Sequence, residues 1–417
     1  MKLMKFTVLL AATAFVFAPH PAAALNWKAQ RPEKEKADLI SFCRTLEAKD
    51  FPADFNPLDL ASKLERCSGK LDWLAPAIHF ATGLLRRCEG GDEYCTKRRS
   101  ALRMLDYPLH VDNFADDFSA EDAEVFNAAA IGLARAARAR VLKEVPAANI
   151  PEGRLKGWLV YNMGFVLKGG GKTVLIDISD RPASFPSRPS RTNRPANSWT
   201  AEEYRAFAEM ADLLLVTHLH GDHTSYALIG SFLSAGKPVV LPSDPASRRG
   251  VADNSRLASL LKKDICHKLT ADSTAPLEVA GIKIRNFSGH QGKSCPCNVY
   301  HLEIGGVVVV HNGDNYDRSK EAKLAECPAA NVIIASSWNN LSSFVLNAGA
   351  AKGFDMNTAM LIPAHENEMH HEVLHRESYK ELYGEPGRLA GRIRRPVAYP
   401  LFWGESFTFE PKPSGAK

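Results

Sequence analysis

The feature that most constrains the fold of this chain is the dense polar motif THLHGDHTS at residues 217–225. It sets His218, His220, Asp222 and His223 within six residues, directly after the apolar run LLLV. Such a run predicts a buried strand, and side chains just beyond a strand end are held more rigidly than those of a free loop. Because Zn²⁺ takes imidazole and carboxylate ligands, the motif predicts a hydrolytic metal site.

Three further residues of the same chemical types, His290, Asp314 and His365, each follow an apolar run of their own. Ligands that leave one edge of a sheet can converge although the chain separates them by up to about 150 residues. Three imidazoles can hold one divalent ion, two imidazoles and a carboxylate a second, and the remaining carboxylate can bridge them. Taken singly, each residue would be interpreted as structural, so the prediction rests on all seven together.

These seven positions resemble the dinuclear signature of the metallo-β-lactamase-fold metallohydrolase superfamily, over about residues 155–405. The resemblance implies an α/β (α+β) fold, namely an αββα sandwich, here with a mostly helical N-terminal extension. It also implies the ligand roles: His218, His220 and His290 for the first metal ion, Asp222, His223 and His365 for the second, and Asp314 as the bridge.

Residues 289–315 are similar to the branch of ascorbate-phosphate lactonases and related phosphodiesterases, although Gly313-Asp314-Asn315 stands where that branch usually reads GDT. The implied activity is hydrolysis of a small-molecule ester, lactone or phosphodiester by a hydroxide held between two divalent ions. Asp222 and Asp314 are the expected catalytic carboxylates. Zinc is the expected metal, and iron and manganese also fit this ligand set.

Two other functions stay open at this point. One is a mononuclear iron oxygenase of the same fold, similar to persulfide dioxygenases, and the other is a metal-binding protein without activity. Substrate contacts are predicted at Arg188 and Arg191, in the Arg- and Pro-rich stretch 181–199, and at Trp338 and Asn339 beyond a predicted strand. Plain exposed loops explain these stretches equally well.

The first 24 residues have the pattern of a secretory signal. Lys2 and Lys5 precede the apolar stretch 6–17, and three alanines at 22–24 form a small-residue cleavage site. A periplasmic or secreted protein is therefore expected, and an uncleaved anchor is the alternative. No second apolar run of about 18 residues follows, so no membrane span is expected after cleavage.

Composition is ordinary for a globular protein, with 45% apolar and 24% charged residues in 417. The net charge of +5 includes the two leader lysines, which is too weak a basic balance to indicate nucleic-acid binding. The pattern predicts a mostly helical segment at 25–150 and a hydrolase domain at 151–417. Oligomeric state is not fixed by the sequence.

Eight cysteines in an exported chain favour disulfides. Their even division predicts two bridges in each part of the chain, without fixing the pairing. The two groups are Cys43, Cys67, Cys88 and Cys95, and Cys266, Cys295, Cys297 and Cys327.

Hydrophobic periodicity predicts the order of the remaining elements. Asp177, at the end of one predicted strand, is interpreted as a structural carboxylate or as support for a ligand histidine. The predicted strands are 158–167, 172–178, 212–216, 238–241, 277–287, 299–304, 306–311, 332–335 and 359–362, and the predicted helices are 201–211, 225–235, 255–263 and 319–326.

Overall fold

A computed structural model describes residues 134–135, 137–180, 199–246, 248–336, 359–365, 401 and 403–411. The signal segment 1–24, most of the predicted helical segment and the four N-terminal cysteines lie outside these residues. So do the candidate substrate contacts Arg188, Arg191, Trp338 and Asn339. The proposed boundary between a helical segment and a hydrolase domain stays a prediction.

Two sheets form the centre of the fold. The first has seven strands in the order β13-β1-β2-β3-β4-β5-β6, and β3 to β6 run parallel. Its strands are β1 (Leu155–Tyr161), β2 (Gly164–Gly169), β3 (Lys172–Ile176), β4 (Leu213–Leu215), β5 (Val239–Leu241), β6 (Cys266–Lys268) and β13 (Ser406–Phe409).

The second sheet has six strands in the order β12-β11-β10-β9-β8-β7, and β10, β11 and β12 run parallel. The two sheets with helices beside them confirm the predicted αββα sandwich. The strands are β7 (Ser273–Val279), β8 (Ile282–Gln291), β9 (Cys295–Ile304), β10 (Val307–His311), β11 (Val332–Ser336) and β12 (Met360–Ala364).

Helices connect the parallel strands of the first sheet and bury their apolar faces on it. In the helix that follows β3, Thr200 and Glu203 form a reciprocal capping box, which satisfies the first free backbone N–H groups. The described helices are α1 (137–147), α2 (Ala201–Met210), α3 (Tyr226–Ser234), α4 (Arg249–Ala252), α5 (Ser255–Leu260) and α6 (Arg318–Lys323).

Helix α1 is bound to the first sheet by both apolar and polar contacts. Val141 and Val145 of this helix are fully buried in the hydrophobic core that covers the first sheet. Glu144 accepts a hydrogen bond from the Trp158 indole at 2.8 Å, so the polar N–H of a buried ring is satisfied. The described end of the N-terminal segment is therefore part of the same core as the strands.

Two predicted strands are hairpins in the structure, so each of those predictions is wrong in one respect. The predicted strand 158–167 turns at Asn162 and Met163 into β1 and β2, and the predicted strand 277–287 turns at Ala280 and Gly281 into β7 and β8. Neither turn has the flanking Pro or Asn-Gly pattern that marks a hairpin in sequence. The short strands β6 and β13 were not predicted.

The disulfide prediction is wrong for the C-terminal cysteines. Cys266, Cys295, Cys297 and Cys327 are all free thiols. Cys266 begins β6 in one sheet, whereas Cys295 and Cys297 lie two residues apart on β9 in the other sheet. Burial raises the pKa of each of these thiols, which favours the unreactive protonated form.

Within the described ranges, no helix combines the length and the apolar character needed to cross a bilayer.

We expect Gly305→Ala to destabilise the fold where the two sheets meet. Gly305 has φ +54°, and a Cβ there would overlap backbone atoms of Gly169 and Gly170 in the β2–β3 turn. The left-handed backbone alone costs a non-glycine residue about 1–2 kcal/mol, and the rigid clash adds to it. Chemical denaturation should therefore give a loss in the free energy of unfolding above about 2 kcal/mol.

Gly171→Ala is the matched control, since Gly171 has φ +74° but open space around its Cβ position. This variant should lose only the free energy of unfolding that the left-handed backbone costs a non-glycine residue. Equal losses for the two variants would contradict the close approach at Gly305.

Candidate metal centre

The histidine-rich motif begins just beyond β4, where the chain leaves the first sheet. Thr217 fixes the start of the loop, because its backbone carbonyl accepts a hydrogen bond from Asn298 N in the second sheet at 2.9 Å. The Tyr300 hydroxyl donates to Val216 O at 2.8 Å. Both bonds join the loop to β9, so the motif is held between the two sheets.

Asp177 is the buried carboxylate that holds this loop in place. It is fully buried directly after β3, the strand beside β4. One carboxylate oxygen accepts from Thr217 N at 2.7 Å, and the other accepts from the Thr217 hydroxyl at 2.6 Å. The second oxygen also lies 2.8 Å from His223 Nδ1. A carboxylate on Nδ1 fixes the ring so that Nε2 is the metal-binding atom.

Four side chains converge at the centre of the site. His223 Nε2 lies 3.3 Å from Asp222 Oδ2 and 3.4 Å from Asp314 Oδ2. His365 Nε2 lies 3.3 Å and 3.1 Å from the same two oxygens. Their candidate ligand atoms all lie within 4.8 Å of one another, as do those of a second group made by His218, His220 and Asp222.

The two groups are contiguous. Asp222 belongs to both, and the His218 ring centroid is 4.0 Å from that of His223 and 4.8 Å from that of His220. The structure thus brings together six of the seven predicted ligands.

The seventh predicted ligand, His290, does not join either group of the described residues. Its imidazole is exposed at the end of β8, with Nδ1 2.6 Å from Gly292 O. The next residue along the strand, Gln291, reaches the cluster instead, and its Nε2 donates to Asp314 Oδ2 at 2.9 Å. The assignment of His290 to the first metal ion stays a prediction.

The loop that carries Asp314 is held by a buried histidine which the sequence analysis did not single out. His311, the last residue of β10, contacts Met163 O through Nε2 at 3.1 Å and accepts from Gly313 N through Nδ1 at 3.2 Å. Gly313 itself has φ +51°, and a Cβ there would lie 2.6 Å from the Thr217 hydroxyl. Only glycine lets the two ligand loops approach so closely.

Backbone strain is concentrated at the same place. Among the described residues, four that are not glycine have a positive φ, and three of these border the site: Asn162 (52°), Asp177 (51°) and His365 (64°). His365 N donates to Asn162 O at 3.3 Å, which ties the end of β12 to the β1–β2 turn. Such strain persists where the surrounding structure fixes it, and functional sites are where it clusters.

Histidines and carboxylates stabilise each other's charged forms around His223. Burial opposes the charged form of every member, but His223 and His365 outweigh it and hold the pKa values of Asp222 and Asp314 well below 3.8. The charges of Asp222, Asp314 and Asp177 likewise overcome burial and raise the pKa of His223 well above 6.5. Without a cation, a proton on His223 therefore compensates part of the charge of these carboxylates.

At His218 and His220, by contrast, the surroundings favour the neutral imidazole. Burial, with the neighbouring charge of His223, lowers the pKa of His218 to about 3. Burial also lowers the pKa of His220. These imidazoles are neutral at physiological pH, which is the form that binds a metal ion.

Several buried polar atoms at the centre fit a divalent cation. Nε2 of His218, Nε2 of His223 and Oδ1 of Asp314 have no hydrogen-bond partner among the described residues. Buried groups without partners are rare in folded proteins, and an absent ion is one accepted explanation. Imidazole nitrogens and carboxylate oxygens so close together imply binding of divalent metal ions.

Comparison with known proteins finds a family that matches the part of the chain that contains most of the site. Residues 158–342 match a family described as a beta-lactamase superfamily domain. This part of the chain, somewhat less than half of it, is similar to that superfamily. The resemblance to metallo-β-lactamase-fold metallohydrolases is thus confirmed, whereas the branch of ascorbate-phosphate lactonases stays a prediction. A search of curated protein sequences finds no match.

Solved structures that are similar to this chain are distant from it in sequence. Igni18, a metallo hydrolase from Ignicoccus hospitalis KIN4/I, is 17% identical with a TM-score of 0.40, over 62% of this chain and all of its own. An isothiocyanate hydrolase from Delia radicum gut bacteria is 16% identical with a TM-score of 0.41, over 61% of this chain and 99% of its own. CmlA, a diiron beta-hydroxylase from Streptomyces venezuelae, is 15% identical with a TM-score of 0.40, over 73% of this chain and 62% of its own.

We predict that metal uptake by the metal-free protein releases at least about one proton per chain at pH 6. His223 holds a proton at that pH because its pKa is raised, and a cation that binds its Nε2 must displace that proton. His218, with its pKa near 3, has no proton to release. It follows that the metal affinity rises with pH.

The measurement is zinc titration calorimetry in buffers of different ionisation enthalpy. At pH 6, water bound to zinc still keeps its protons, since it ionises only near pH 7. A binding enthalpy that is independent of the buffer would contradict the protonated state of His223.

Proposed function

We propose that this chain is an exported, metal-dependent hydrolase that acts on an ester, lactone or phosphodiester of a small molecule. The observation that carries the proposal is the group of six ligand side chains, three of which (His218, His223 and Asp314) have a buried atom without a hydrogen-bond partner among the described residues. The match to the beta-lactamase superfamily domain supports it. Export rests on the leader pattern of the first 24 residues.

In this proposal the ligands divide between two divalent ions, with zinc as the first candidate. His218 and His220 would hold one ion, Asp222, His223 and His365 would hold the other, and Asp314 would contribute to both. Bound cations supply a nucleophile from water at neutral pH and polarise the substrate oxygen.

The protein's own groups then have distinct tasks. Asp177 and Thr217 orient the histidines of the motif loop before any substrate arrives. Asp314 offers a buried Oδ1 without a partner among the described groups, which would take part in holding the ions. As the oxygen of water adds to carbon or phosphorus, the leaving oxygen takes up a proton and departs as an alcohol.

A second candidate follows from the ligand types of the tighter group. Asp222, His223, Asp314 and His365 combine two imidazoles with carboxylates. Two histidines and one carboxylate are the ligand set of non-haem iron oxygenases. One iron ion per chain, with oxygen uptake and no ester hydrolysis, would favour this function over the first.

The test is metal quantification on the purified mature chain, followed by assays on a chromogenic phosphodiester, an aryl ester and a lactone. We expect turnover of at least one class, its loss with a chelator, and its return with zinc or manganese. Asp314→Asn should lower turnover by about a hundredfold or more, because a ligand contributes at least as much as the outer residues that orient it.

Asp244→Asn is the matched control for Asp314→Asn, since Asp244 is half exposed and pairs with Lys268 at 3.0 Å. Its turnover should equal that of the wild type. A metal-free protein that keeps full turnover would exclude the hydrolytic proposal. A metal-loaded protein inactive on the whole panel, with no oxygen uptake, would favour a metal-binding role without catalysis.

A further inference from the structure

Gln291 is the residue of β8 whose side chain contacts the ligand cluster. Its Nε2 donates to Asp314 Oδ2 at 2.9 Å, while the neighbouring His290 is exposed and contacts Gly292 O. Adjacent side chains on a strand point to opposite faces, so one of the two residues faces the cluster and the other faces away. No step proposed above uses Gln291.

The hydrogen bond to Asp314 fixes how the Gln291 amide is oriented. A carboxylate only accepts hydrogen bonds, so the amide must present its NH₂ group to Asp314. Its carbonyl oxygen, Oε1, consequently points elsewhere and can act only as an acceptor. Oε1 is buried and has no donor among the described groups.

A buried acceptor without a donor requires an explanation in a native structure, and a missing ligand is one. Oε1 lies on the same side chain that touches Asp314, so the missing donor would lie beside the site of hydrolysis.

We propose that Gln291 both positions Asp314 and determines specificity. Its nitrogen holds the carboxylate, and its oxygen accepts a hydrogen bond from a hydroxyl or N–H group of the substrate, next to the bond that breaks. The substrate class is therefore an ester, lactone or phosphodiester that carries such a donor. This inference rests on the proposed hydrolytic function.

The experiment pairs one substitution with two substrates. Gln291→Met keeps the length of the side chain and removes both hydrogen-bonding atoms. The substrates are α-hydroxy-γ-butyrolactone and γ-butyrolactone, which differ by one hydroxyl group. Wild-type kcat/KM should favour the hydroxylated lactone by about tenfold or more, because a site built to bond a hydroxyl rejects the analogue that lacks it.

Gln291→Met should abolish this preference. Lys283→Met places the same side chain on the same strand, at an exposed position paired with Glu303, and should keep the preference. Equal losses for both lactones in Gln291→Met, or no preference in the wild type, would overturn the specificity role. Equal losses are also what a bond from Oε1 to the reacting water would give.

Two binding measurements keep the inference separate from turnover. Calorimetry with zinc-loaded protein compares the open-chain products, 2,4-dihydroxybutyrate and 4-hydroxybutyrate, and should give the same preference and the same loss in Gln291→Met. Binding of neither product would overturn the inference. A protein that binds with this preference yet hydrolyses no ester or lactone would refute the proposed function and leave the role of Gln291 intact.

The positioning role of Gln291 is tested separately, by measuring zinc affinity in competition with a chelator. Removing a group that orients a ligand costs about 10- to 100-fold in metal affinity, and we expect a loss in this range for Gln291→Met. Unchanged affinity would overturn the positioning role.

Discussion

The geometry of the candidate metal centre depends on the hydrogen bonds of one buried carboxylate, that of Asp177. An ionised carboxylate away from water is unfavourable unless hydrogen bonds and opposite charge compensate it. Here the backbone and hydroxyl of Thr217 and the imidazole of His223 supply that compensation. Because Thr217 begins the motif loop and His223 is its last histidine, Asp177 holds both ends of the ligand-bearing stretch.

The same centre is reached from the second sheet by a different route. His311 joins the β1–β2 turn to the loop before Asp314, and Asn162 joins that turn to His365. Two ligand loops of the second sheet therefore meet at one short turn of the first sheet. The left-handed backbone at Asn162 and His365 is the cost of this convergence, and it is distributed over residues that the core holds in place.

The placement of the candidate ligands at strand ends could be predicted from sequence, because these residues follow short apolar runs typical of buried strands. The motif 217–225, Asp314 and His365 lie at strand ends, as that pattern requires. Asp177 was interpreted as a structural or supporting carboxylate, and it occupies that role beside His223.

The contacts of His311 and Gln291 could not be predicted, because they join strands that are far apart in the chain. Their signal in sequence is only a polar residue at a strand end. The hairpin at Asn162 was missed because its turn is only two residues long and lies inside the otherwise apolar run 158–167. The disulfide prediction failed because cysteine number says nothing of which strands are neighbours.

Anomalous diffraction from crystals of the zinc-loaded protein, collected on both sides of the zinc absorption edge, tests the central claim most directly. The account predicts an ion within about 2.0–2.2 Å of His223 Nε2, His365 Nε2 and the carboxylates of Asp222 and Asp314. An anomalous map without a peak at this cluster, with the four side chains still in direct contact with one another, would contradict it.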